Sequence, residues 1–358
     1  MDIAYQPELP KQTHPIVIIG AGSIVRDAHL PAYRKAGFNV HGIWNRSLLP
    51  AQALADEYGI SCVYESYDEA LAHAPDNTIW DLTLPANLFA EYLEKLPDNA
   101  PVLIQKPMGE NIEEARQILE VCQRKKLRAA INFQLRFAPF IMAAKDLIDK
   151  GVIGELRDIE ARITSYTPWD HFPFLQHVPR LEIVYHSVHH IDCIRGFLGD
   201  PVGVYAKSIK HPELPDLPET RSSIILDYGE SIRANIQTNH FHKFGSKHQE
   251  SYFKWEGSKG AIKARMGLLM NYPTGIPDCF EYCQLDKDGS PGEWQEVSLE
   301  GSWFPEAFIG SMAQVMRHVE GTLDAMPTSV EDALRTMACV EAAHTSSHQG
   351  GVPIQQYL

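Results

Sequence analysis

His14-Pro-Ile-Val-Ile-Ile-Gly20-Ala-Gly22 is the stretch on which the fold turns. Four consecutive β-branched residues, Ile16 to Ile19, running into a glycine predict a strand buried on both faces, as in a parallel sheet. Gly20-Ala-Gly22 then predicts a tight turn into a helix through His29 to Tyr33. At such a turn, backbone N–H groups and the helix N-terminus suit the pyrophosphate of a dinucleotide. The third position of the usual glycine fingerprint is Val25, so the glycines alone leave a plain strand–helix turn open.

Outward from this stretch the alternation continues. Further strands are expected at 39–44, 61–64, 78–84, 101–104 and 128–133, with helices at 49–58, 67–72, 89–96 and 113–125. This spacing predicts a doubly wound parallel sheet of the Rossmann kind. The rhythm then changes. After a helix at 140–150, strands at 156–164, 202–209, 222–228, 231–238 and 250–256 follow one another on short turns, interrupted by a helix at 181–198. They predict a second α/β domain with an open, mostly antiparallel sheet. The expected domains are 14–135, 136–328 and 329–358, the last an amphipathic helix (330–345) packing back on the first. The first ten residues lack the basic and apolar regions of a secretory signal and read as a loosely ordered leader.

Composition narrows the function classes. The formal net charge of −14 speaks against nucleic acid, because so acidic a surface repels phosphate backbones. No apolar run approaches the length of a membrane span. The six cysteines form no C-x-x-C pair and fit buried thiols in a reducing, cytoplasmic setting. His186 and His190 share a helix face, yet without a Cys or Glu partner they read as pocket lining, and no metal is expected.

Three segments carry candidate chemistry. Asn45-Arg46-Ser47 ends the second strand, where an acidic residue would select NAD. An amide, a cation and a hydroxyl favour NADP over NAD, since Arg can grip a 2′-phosphate in two places, although Arg46 could instead stack on adenine. Gln105-Lys106-Pro107-Met108 ends the fifth strand, which puts Lys106 at the carboxyl edge where ligands bind. The loop from Tyr166 through Trp169 to His171 sets aromatic faces beside polar groups, a surface suited to a sugar ring, although the same residues could simply cover a core edge. His240 and His242, at alternate strand positions, are expected to face solvent.

With these residues in view, the chain resembles the Gfo/Idh/MocA oxidoreductases from about residue 14 onward. The matching motifs are Gly20-Ala-Gly22 with His29-Leu-Pro31, Lys106-Pro107-Met108 in the place of the family's Glu-Lys-Pro, and Arg136-Phe137-Ala-Pro139. Gly151-x-x-Gly154, Val188-His-His-Ile-Asp192, and Ser329-x-x-Asp332 with Glu341-Ala342 also match. The resemblance implies hydride transfer between a nicotinamide and a ring hydroxyl of a sugar, sugar acid or inositol. It implies Lys106 and His189 as catalytic residues, with Tyr185 where the family has Asp and Gln105 where it has Glu. Tyr185 and His189, four apart on a helix, would share one face, with Asp192 placed to orient the imidazole.

The implied cofactor site comprises Gly20, Gly22, Ser23, Ile24, Asn45, Arg46, Ser47, Leu84, Pro85, Asn87, Gln105, Lys106, Pro107 and Gln134. The implied carbohydrate site comprises Lys106, Tyr166, Trp169, His171, Tyr185, His186 and His189. A homodimer or homotetramer through the second-domain sheet is expected. Two other readings stay open: glycoside elimination through transient oxidation, and a non-enzymatic NADP-binding regulator.

Overall fold

The first sheet contains β1 (Ile16–Ile19), β2 (Val40–Trp44), β3 (Cys62–Val63), β4 (Ile79–Leu82), β5 (Pro101–Gln105) and β6 (Arg128–Asn132). The structure, a computed structural model, describes residues 2–272 and 274–354, without the side chains of His171 and Pro173. All pairings of this sheet are parallel, in the order β3-β2-β1-β4-β5-β6. The order reverses between β1 and β4, so the crevice at the carboxyl ends opens beside Gly20, as the sequence predicts. Ile16 to Ile19 are fully buried, which is what helices on both faces of a sheet require.

The chain divides into two compact units, Met1–Asp146 with Leu299–Met337 and Leu147–Ser298 with Ala338–Leu358. In the first, the helix Ala307–Val319 comes from the distant segment and adds Phe308, Met312 and Met316 to the core cluster that holds Ile16, Ile18, Ile43 and Leu103. The sequence reading has no counterpart for it. Just before β1, the Lys11 and Gln12 backbone N–H groups donate to Glu320 at 3.0 and 2.6 Å. Arg317 pairs with Glu8 nearby. The helix after the glycine turn is wound as a π-helix over Val25–His29 before becoming α-helical at Leu30–Ala36.

The second sheet contains β7 (Leu156–Thr164), β8 (Gly203–Ile209), β9 (Arg221–Asp227), β10 (Arg233–Asn239), β11 (Glu250–Gly257), β12 (Gly260–Arg265), β13 (Cys279–Gln284) and β14 (Gln295–Val297). Its order is β14-β13-β12-β11-β7-β10-β9-β8, antiparallel throughout except for the β7–β10 pair. The last three strands extend the sheet beyond the sequence reading. Alternate residues face inward, among them Ile159, Ala161, Ile224, Ile236, Phe253 and Trp255. The helix Val188–Leu198 lies in the same unit, and its Phe197 ring packs on Trp255 at 5.4 Å. The stripe of Val184, Val188, Ile191 and Ile194 is fully buried.

Next to that stripe, His190 is buried against the ring of Phe253 at 5.7 Å, and burial lowers its pKa from 6.5 to about 3. The folded state therefore holds a neutral ring where the unfolded chain would take up a proton. Its contribution is fully present above pH 6.5 and is lost as pH falls toward 3. Between pH 7.5 and 5 the loss is about 2 kcal/mol for this one residue. Urea titrations at the two pH values should show a loss larger by this amount in the wild type than in His190→Leu. An equal loss in both proteins would contradict the assignment.

Among the described residues, no helix is long and apolar enough to cross a membrane. The six cysteines are all free thiols.

Candidate active site

In the first unit the glycine turn is shaped by close approach. Gly20 has φ +122°, and a Cβ there would stand 2.4 Å from Thr83 Oγ1 and 2.6 Å from the Thr83 carbonyl. Only glycine lets the end of β1 lie this near the end of β4. Gly22 is different: a Cβ there would meet nothing within 4 Å. Its carbonyl accepts from the N–H groups of Val25 (3.1 Å) and Arg26 (3.3 Å), starting the π turn. The turn thus presents bare, exposed backbone at Gly22 and Ser23, the geometry that lets a pyrophosphate come close.

Asn45 clamps this turn. Its Oδ1 accepts from the Ala21 N–H at 3.1 Å and its Nδ2 donates to the Ser47 carbonyl at 2.8 Å. Arg46 and Ser47 are exposed beside it. Across the crevice Leu84, Pro85 and Asn87 follow β4, with Leu84 half-buried and Pro85 and Asn87 exposed.

Gln105 is the last residue of β5, and Lys106 follows it, joined to Pro107 by a cis peptide bond. The Lys106 side chain is half-buried, and desolvation lowers its amine to about 8. The Gln134 amide, at the start of a short helix after β6, is buried with neither Oε1 nor Nε2 bonded. A buried amide left unpaired is costly unless a bound molecule satisfies it. An open backbone turn, an unpaired buried amide and a strand-end lysine together fit a dinucleotide at this sheet edge.

The structure also shows what the sequence reading missed in this unit. His29 and Asp81 are fully buried and bonded to each other, Nδ1 to Oδ2 at 2.8 Å. Tyr33 OH donates to the same oxygen at 2.7 Å. These residues lie some 50 positions apart, and only the β1–β4 adjacency brings them together.

In the second unit Tyr185 and His189 sit in differently wound backbone. Glu182–Ser187 is a π-helix and Val188–Leu198 an α-helix, so the expected α-helical spacing from 185 to 189 crosses a change of winding. Short π segments of this kind are frequent at functional sites. The half-buried Tyr185 packs against the apolar cluster of Trp169, Leu175, Leu181 and Leu217, with Phe174 edge-on at 6.2 Å. His189 and Asp192 are buried.

Trp169 and His186 come together, ring centroids 5.7 Å apart, and His240 completes the group at 4.5 Å from His186. His240 is therefore not solvent-facing as the alternation suggested; it lies just past the end of β10 and is covered by Trp169 and His186. Behind it is a buried carboxylate that the sequence reading overlooked. Glu182 Oε1 lies 3.7 Å from His240 Nε2 and accepts from Ser187 Oγ at 2.7 Å. Burial pushes its pKa up, but the neighbouring His240, Ser222 and Ser187 outweigh this and hold the carboxyl below its usual range. The Trp169 indole N–H is buried without a partner. Tyr166 is exposed beside Phe241, and the His171 side chain lies outside the described residues. Among the described residues no three His, Cys, Asp or Glu side chains are grouped to hold a metal ion.

Comparison with known proteins bears on both units. Residues 15–133 match the oxidoreductase family with an NAD-binding Rossmann fold, and residues 141–263 match the GFO/IDH/MocA C-terminal domain. An uncharacterized protein of Saccharomyces cerevisiae is 31% identical over 138 residues, which span 37% of this chain and 39% of that one. A D-xylose 1-dehydrogenase (NADP(+)) of Haloferax volcanii is 23% identical over 265 residues, 73% of this chain and 78% of that one. An oxidoreductase from Agrobacterium radiobacter, solved with NAD+, L-tartaric acid and magnesium, shares the fold with a TM-score of 0.78. The match covers 97% of this chain and 100% of that one at 20% identity.

Proposed function

Because this chain belongs to the GFO/IDH/MocA oxidoreductase family, we propose that it is a cytoplasmic NAD(P)-dependent dehydrogenase of a sugar, sugar acid or inositol, with NADP preferred. The observation that carries this reading is Lys106, a half-buried amine at the carboxyl edge of β5, in the unit that holds the open glycine turn. The xylose dehydrogenase relative supports the carbohydrate class.

Gly20, Gly22, Ser23 and Ile24 would hold the pyrophosphate, and Arg46 with Ser47 the adenosine end, on a loop kept in shape by Asn45. Leu84, Pro85, Asn87, Gln105, Lys106, Pro107 and Gln134 would flank the remainder. The bound nicotinamide supplies a hydride acceptor or donor at its C4. In the oxidising direction His189 takes the proton of the reacting hydroxyl and returns it in the other, a role suited to an imidazole near neutral pH. Lys106, as an ammonium, stabilises the negative charge that builds on the oxygen. Tyr185 takes the place of a carboxylate as a neutral hydroxyl contact. Trp169 and His186, backed by the buried His240, would line the site for the remaining hydroxyls.

Purified protein given NAD or NADP and a panel of sugars, sugar acids, glycosides and inositols should raise the absorbance of reduced nicotinamide with one class. Silence across the panel, with cofactor binding intact, would overturn the reading. Aglycone released without net cofactor reduction would replace it with elimination.

Cofactor choice has its own test. Removing one charge-assisted contact to phosphate should shift the NADP-to-NAD affinity ratio about tenfold. Arg46→Ala is expected to lower that ratio by this amount in fluorescence titrations, mostly through weaker NADP binding. An unchanged ratio would show that Arg46 does not meet the 2′-phosphate.

A further inference from the structure

A buried polar chain runs from Lys106 and Gln105 into the first unit through Asn132, His29, Asp81 and Tyr33, which have no part in the roles above. It begins at the backbone N–H of Lys106, which donates to Gln105 Oε1 at 3.1 Å. The same oxygen accepts from Asn132 Nδ2 at 3.0 Å, and that Nδ2 lies 3.3 Å from His29 Nε2. His29 Nδ1 is bonded to Asp81 Oδ2 at 2.8 Å, and Tyr33 OH donates to Asp81 Oδ2 at 2.7 Å. All five side chains are buried, and Asn132, His29, Asp81 and Tyr33 are fully so.

The direction of every link follows from its first member. A backbone N–H can only donate, so Gln105 must present its oxygen to Lys106. Asn132 must then offer its NH2 to that oxygen, and the second proton of the same NH2 points to His29 Nε2. His29 Nε2 is therefore an acceptor, its proton sits on Nδ1, and Asp81 receives it as a carboxylate. The chain ties the turn before the first α-helix, β4 and β6 to the residue that ends β5.

We propose that Asp81, His29 and Asn132 are positioning residues for Lys106: through Gln105 they fix the backbone at the end of β5 and so hold the amine in its water-poor setting. The consequence for catalysis rests on the role given to Lys106 above. The titratable groups along the chain are His29, Asp81 and Tyr33. Cutting the chain at Asn132 or His29 lets the strand end move, water reach the amine, and its ionisation return toward that of an ordinary lysine.

The test reads Lys106 directly, without substrate or cofactor. Timed acetylation of the full-length protein from pH 6 to 11, followed by mass spectrometry of the Lys106 peptide, gives the midpoint of its ionisation. The wild-type midpoint is expected near 8. Asn132→Leu and His29→Leu should each raise it by a unit or more, lowering the labelling rate at pH 8 about fivefold. Tyr33→Phe removes a bond of similar burial but leaves the link to Lys106 whole, and should keep the wild-type midpoint.

A purely architectural chain would lower the melting temperature in all three variants and leave the midpoint in place. That result in folded protein overturns the proposal. Asn132→Ser, which removes the amide but keeps a small polar group, carries the same expectation should Asn132→Leu fail to fold. Absence of dehydrogenase turnover would leave this readout intact, so the two proposals fail separately.

Discussion

Lys106→Met is expected to lower kcat for hydride transfer by about 10²–10⁴, the range that positioned acid–base and charge-stabilising groups supply. Met keeps the length and apolar stem of the side chain and removes only the charge. Cofactor affinity should therefore change little, and the loss should fall on kcat rather than on the KM for NADP. The pH dependence gives a second handle. Burial places the amine near 8, so the ammonium is present below that value and is lost as pH rises through it. In the oxidising direction wild-type kcat should decline above pH 8, and this alkaline limb should be absent from the residual activity of the variant. Initial rates from pH 6 to 10, with cofactor binding followed by fluorescence, test both. A variant with normal kcat would remove Lys106 from the chemistry.

The second large effect separates two glycines only two positions apart. Gly20→Ala should destabilise the first unit by about 2–5 kcal/mol, from the disfavoured backbone angle together with the contact on Thr83. One of the colliding atoms is a backbone carbonyl, which cannot rotate away as a side chain can. Gly22→Ala meets no protein atom within 4 Å and should leave the melting temperature unchanged. Its methyl group would stand in the space proposed for the pyrophosphate, so the cofactor Kd should rise at least tenfold. Calorimetry and cofactor titration on the two proteins separate the effects. Equal cofactor affinity in Gly22→Ala and wild type would place the pyrophosphate elsewhere.

Much of the first sheet was legible because its strands advertise themselves. Ile16 to Ile19 form an apolar run too short for a helix, and the glycines that follow are placed where a strand must turn. The helix Ala307–Val319 was not legible for the converse reason. Its polar residues Ser311, Gln314 and His318 do recur at helical spacing, but 307, 308 and 310–316 are all buried, so they mark no solvent-facing side. The π winding at Val25–His29 and Glu182–Ser187 is hidden too, since five or six residues cannot tell one helical period from another.

The polar centres divided along similar lines. Lys106 and Gln105 could be placed from their position at a strand end. The His29–Asp81 pair could not, because its members are joined by sheet topology rather than by spacing. His240 misled because alternation was extended one residue past the end of β10, where Trp169 and His186 cover it. The contact of Lys11 and Gln12 with Glu320 was invisible because backbone N–H groups, common to every residue, make it.

The contribution of Phe308, Met312 and Met316 to the first core sets the order in which a nascent chain can mature. Roughly 160 residues separate Asp146 from this helix, and a ribosome adding about 5–20 residues per second needs some 8–30 s to deliver it. For that interval the emerging parallel sheet lacks the side chains that complete its apolar cover. Premature termination anywhere in the intervening stretch strands the chain in that state, so truncated products should be cleared by proteolysis instead of accumulating as half-functional fragments.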